Sequence, residues 1–159
     1  MLKRIYYILE VFNLISVISL ANTIIQFATQ ENIELSPMKL QKIIYFIYKD
    51  YIKKYDVPLF SDRFEAWRYG PVVRSVYDEF KHFGSSTIKD FAKDTEGVVY
   101  VLKMDSSTSF IRDIWDKYKY QNGIELSART HQKDTAWDKA VKNCKGILDD
   151  EDIKNERDL

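Results

Sequence analysis

Cysteine is nearly missing from this chain. The single residue, Cys144, excludes an intrachain disulfide and favours a reducing compartment, so a cytoplasmic location is expected. Histidine is almost as scarce. His82, His131 and one cysteine cannot assemble a zinc site of the usual kind, and neither metal nor cofactor is expected. With only five glycines a phosphate-cradling loop is not expected. No P-loop, GxGxxG, HExxH or GxSxG pattern occurs. Net charge is also lacking: 24 Lys+Arg balance 24 Asp+Glu, so bulk charge recruits neither nucleic acid nor an anionic membrane.

What is present is apolar and aromatic material. The chain has 159 residues, 45% hydrophobic and 14% aromatic, with eleven Tyr and nine Phe, enough for one real core without covalent staples. The charge balance hides an asymmetry. Residues 149–159 carry six acids and two bases and read as a solvated, flexible acidic tail.

Residues 11–30 hold no charge, the length of a membrane span, and Lys3 and Arg4 precede the run as in a signal peptide. The spacing argues otherwise. Ser16, Ser19, Thr23, Gln26 and Gln30 recur at steps of three and four, and Leu14, Ile18, Ala21, Ile25 and Ala28 do the same on another face. This predicts an amphipathic core helix. Residues 1–14 are an N-terminal extension or the start of that helix.

A second helix opens at Ser36-Pro37, a capping residue followed by the ring that suits the first helical position. Its apolar stripe includes Leu40, Ile43, Ile44 and Ile47, while Lys42, Lys49 and Lys53 read as a solvated face. Phe64, Trp67 and Tyr69 then crowd a connection before Gly70-Pro71, where Pro71 is expected to set the first turn of another helix ending at Gly84. The β-branched run 98–104 predicts a strand, paired in a hairpin with residues 88–92. Further helices are expected near 110–118, 124–130 and 135–144, with Cys144 on an apolar face. The predicted fold is mainly α: a compact helical domain over residues 15–148 with a small β-hairpin.

Catalytic chemistry is weakly represented. His82 falls on the outer side of its helix, and Cys144 reads as a core residue. His131 has Ser127 and Asp134 near it in sequence, which is no evidence of a triad, so a hydrolase or transferase built on His131 is a remote alternative. Interface chemistry is better represented. Trp67, Arg68 and Tyr69 join the three usual anchor types beside the stiff Gly70-Pro71 pair, and Thr130, His131 and Trp137 form a second cluster. For each Trp the alternative is simple burial in the core.

The segments LSPMKLQKIIYFIYKDY, FEAWRYGPVVRSVYDEFKHFG and WDKYKYQNGIELSARTHQKDTAW, in this order, resemble the SocA-like Panacea antitoxin domain, a family with many phage-associated members. The resemblance runs over residues 15–141. It implies a non-enzymatic antitoxin that binds and neutralises a toxin usually encoded beside it. The class of toxin differs among relatives. It also implies, as an alternative, an adaptor that hands the toxin to a cytoplasmic AAA+ protease. A protein toxin is thus the expected partner, with no nucleic acid and no membrane. The expected contact residues are Trp67, Arg68, Tyr69, Gly70, Pro71, Thr130, His131 and Trp137, with Arg68 and Tyr69 outward and Trp67 inward. One departure stands out. Ala136 precedes Trp137 where the family commonly has proline, which leaves the shape of that loop open.

Overall fold

The computed structural model describes residues 5–8 and 14–158. Helix α1 (Val17–Glu31) begins where the Ser16 hydroxyl accepts from the Ser19 amide at 3.3 Å, and Asn32 ends it at a positive φ of 54°. Of the expected apolar face, Ala21, Ile25 and Ala28 are buried and Ile18 is partly so, but Leu14 precedes the helix and is exposed, and polar residues of the helix are buried too. Asn22 and Thr23 are below 2% exposed. Their side chains serve backbone groups that lie outside any helix. Asn22 exchanges hydrogen bonds with both backbone groups of Ala92 (2.9 and 3.0 Å) and donates to the Tyr100 carbonyl, and Thr23 Oγ1 accepts from the Leu102 amide at 2.9 Å. Buried polar atoms need such partners.

Helix α2 (Pro37–Tyr55) is the central rod, capped by Ser36 as read from sequence and ended by Asp56 at a φ of 57°. Every residue from Lys39 to Lys49 is buried. The expected lysine face is therefore corrected: Lys42 is 1% and Lys49 6% exposed, and only Lys53 remains exposed. The reason is tertiary. Elements pack all round α2, and its lysines meet carbonyls or acids instead of water.

The antiparallel hairpin lies in FEAWRYGPVV. Strands β2 (Phe64–Trp67) and β3 (Gly70–Val73) pair from Phe64↔Val73 to Trp67↔Gly70, leaving Arg68-Tyr69 as a two-residue loop. Pro71 thus sits in a strand, and α3 (Arg74–Phe80) starts three residues later. A proline is tolerated there because it occupies an edge where no ladder donor is demanded. The run near 98–104 does form a strand, β4 (Val99–Leu102). Its partner is β1 (Ile5–Ile8), in parallel, and not residues 88–92, which are held by Asn22 and by the Ile88 amide on the Leu35 carbonyl. Residues 5–8 are therefore strand and not helix. The other positions of the expected extension up to 13, with Lys3 and Arg4, lie outside the described residues.

Helices α4 (Ser109–Tyr118), α5 (Gly123–Thr130) and α6 (Ala136–Lys142) follow the expected order. Asn122-Gly123 opens α5 through a capping box with Glu125. Cys144 lies beyond α6, exposed, at a φ of 51°; it is not a core residue. The acidic segment is corrected as well. It forms α7 (Asp150–Lys154) and docks on α2, with Ile153 and Glu156 buried. Glu156 accepts from Tyr45 Oη (2.7 Å), Lys49 Nζ (3.1 Å) and the Ala136 amide (2.9 Å), so one carboxylate joins α2, α6 and the C-terminal segment. The whole is mainly α with a small antiparallel sheet. Among the described residues no helix is long and apolar enough to cross a membrane.

Candidate interaction surface at the hairpin

The hairpin is braced from behind by α2. Gln41 exchanges two hydrogen bonds with the backbone of Val73 (2.9 and 3.1 Å), and Lys42 Nζ donates to the Pro71 carbonyl at 2.9 Å. The α5–α6 corner braces it from the side. Ser127 Oγ donates to the Tyr69 carbonyl and Trp137 Nε1 to the Trp67 carbonyl, both at 2.7 Å. Edge strands carry open backbone groups, and these side chains close several of them.

The eight residues expected as contacts come together. Arg68 and Tyr69 form the tip, both exposed, with the guanidinium 5.3 Å from the Tyr69 ring centre. Trp67 is half-buried, packed edge-on to Tyr77 at 4.6 Å and under Arg74 at 4.8 Å, and its indole N–H donates to Glu65. Gly70 and Pro71 are buried. A Cβ on Gly70 would lie 2.6 Å from Thr130 Oγ1 and 2.8 Å from Lys42 Cε, at a φ of 106° that side chains rarely adopt, so only glycine fits. Thr130 is fully buried and donates to the Ser127 carbonyl. His131 stacks on Trp137 with ring centres 3.9 Å apart. The loop before Trp137, which lacks the proline, is held by Thr135, which caps α6 and donates to the Thr130 and Gln132 carbonyls.

Lys42 is the member that sequence reasoning missed. Burial pushes its amine down to about 7. His131 is also lowered, first by burial and then by Lys42, and its Nε2 is buried with no hydrogen-bond partner among the described residues. A signal was present: from Met38 to Tyr48 the only charges on α2 are lysines, and every face holds large apolar side chains. A helix apolar all round is a buried one.

Beside the hairpin lies a cleft of about 450 Å³, walled by Met38, Val72, Val76 and Phe80 and edged by Trp67 and Tyr69. The arrangement offers an aromatic-basic tip next to an apolar recess. The Ser127 and Thr130 hydroxyls both donate to carbonyls, and His82 stands elsewhere against Phe83. Among the described residues, no three His, Cys, Asp or Glu side chains are grouped to hold a metal ion.

Fold and surface together define a small helical domain that displays a braced hairpin beside an apolar cleft. The family model described as "Antitoxin SocA-like, Panacea domain" matches residues 40–138, and the chain belongs to that family. Antitoxin SocA of Caulobacter vibrioides (strain NA1000 / CB15N) is 34% identical over 70 residues, which cover 44% of this chain and 37% of that protein. The match therefore spans well under two thirds of that relative. No solved structure matches.

Proposed function

We propose that this chain is an antitoxin that neutralises a cognate protein toxin by direct binding, with the hairpin tip at the centre of the contact. One observation carries the site: Arg68 and Tyr69 are held exposed on a loop whose backbone is tied down by α2, α5 and α6. Anchors fixed in this way lose little conformational freedom on binding, and Tyr and Arg are typical of residues that dominate interfaces. Membership of the antitoxin family supports the role.

The test is co-purification with the product of the adjacent reading frame. Tyr69→Ala and Arg68→Ala should each weaken the complex by about 2 kcal/mol, roughly thirtyfold, and restore toxicity, with circular dichroism unchanged. Wild-type rescue by both variants would remove the hairpin tip from the interface. A toxin that becomes short-lived only when this chain is co-expressed would favour the adaptor reading.

A further inference from the structure

We propose that Lys42 is the receptor for a carboxylate on the partner protein, and that the cleft beside the hairpin takes the apolar residues flanking that carboxylate. This rests on the reading that a protein partner docks at the hairpin, and it names the chemistry such a partner must bring.

The geometry is that of an incomplete ion pair. Lys42 lines the cleft and is 1% exposed. One of its N–H groups meets the Pro71 carbonyl; the other two meet no acceptor among the described residues. Around the amine, β3 brings Gly70 and Pro71, and the end of α5 brings Thr130 and His131. The hairpin tip adds Arg68 and Tyr69 to the cleft lining. None of these is an acid. The other two buried lysines of α2 contrast with it: Lys49 has Glu156, and Lys39 donates to the carbonyls of Glu34 and Lys119.

The cleft repeats the same sign. Its charged residues are Lys42, Arg68 and Lys81, and no Asp or Glu lines it. Lys81 is neutralised by Asp78 at 2.9 Å, but Arg68 has no carboxylate partner among the described residues. An apolar recess with two unmatched cations suits a peptide segment that carries a carboxylate beside apolar side chains. A nucleic acid would ask for several converging cations and has no use for the apolar walls. On docking, the open N–H positions of the Lys42 amine take the incoming acid while the contact with the Pro71 carbonyl is kept, so the hairpin stays braced.

The pairing has a proton signature. In the free protein burial leaves Lys42 with a pKa of about 7, so at about pH 8 the amine is mostly neutral. A carboxylate partner raises that pKa, and the amine takes up a proton from the buffer as the complex forms.

Calorimetric titration with the purified product of the adjacent reading frame, at about pH 8 in two buffers of different ionisation enthalpy, reads this directly. Uptake of close to one proton per complex is expected. Lys42→Met should abolish the uptake and weaken binding at least tenfold. Tiled synthetic peptides from the same product should bind only where an Asp or Glu sits among apolar residues, and the matching amide replacement should lose nothing further in the Lys42→Met background. The proton measurement on the unaltered protein needs no variant to fold. A buffer-independent heat together with wild-type affinity for Lys42→Met overturns the inference while leaving the hairpin reading intact. Failure of any complex to form removes both.

Discussion

Burying an amine with one carbonyl for company makes its protonation compete with folding. In the unfolded chain the Lys42 amine holds its proton up to about pH 10.4; in the folded chain it does so only up to about 7. Between those values the unfolded state binds more protons, so stability must rise with pH through the window and fall as pH drops toward 7. The increment from about pH 7 to about pH 9.5 is on the order of 3 kcal/mol for this group. Urea melts across that range should show it in the wild type and not in Lys42→Met. Parallel profiles would mean the amine is hydrated in solution. The residue scale also shows a limit of pattern reading. Lys42, Lys49 and Lys53 share a charge and a helix, yet only Lys53 stays exposed, because neighbours distant in sequence cover the other two.

The hairpin is the element on which the surface depends, and Gly70 is its tightest point. Gly70→Ala must adopt a φ near 106° and place its methyl against Thr130 and Lys42. A loss of about 2–4 kcal/mol is expected in chemical denaturation. Gly146→Ala, with open space around its Cβ position, should stay within about 0.5 kcal/mol. Equal effects at the two glycines would contradict this packing. The hairpin also shows why strand pairing escaped the sequence. Gly70-Pro71 carries the punctuation of a helix start, and residues 98–104 carry the composition of a strand. Composition names a strand but not its partner, and β4 found β1, more than ninety residues away, instead of the adjacent segment.

For the whole molecule, closure at the C-terminal end rests on Glu156. Removing a carboxylate that serves Tyr45, Lys49 and the start of α6 leaves a buried ammonium unpaired. Glu156→Ala should therefore destabilise the chain by about 3–5 kcal/mol in urea melts, whereas Asp158→Asn, at an exposed pair with Lys53, should change stability by less than about 1 kcal/mol. Legible in the residues alone were the order of helices α1 to α6, the cap at Ser36, the mainly α class and the two side-chain clusters that gather at the hairpin. These follow from local chemistry: a hydroxyl before a helix finds its own amide, and periodic apolar side chains mark a face. Tertiary packing alone folds the acidic end onto α2, places Pro71 in a strand and buries Lys42 with no acid beside it among the described residues. Each of these depends on which distant surfaces meet and exclude water, and the energy of a charge is set by that exclusion.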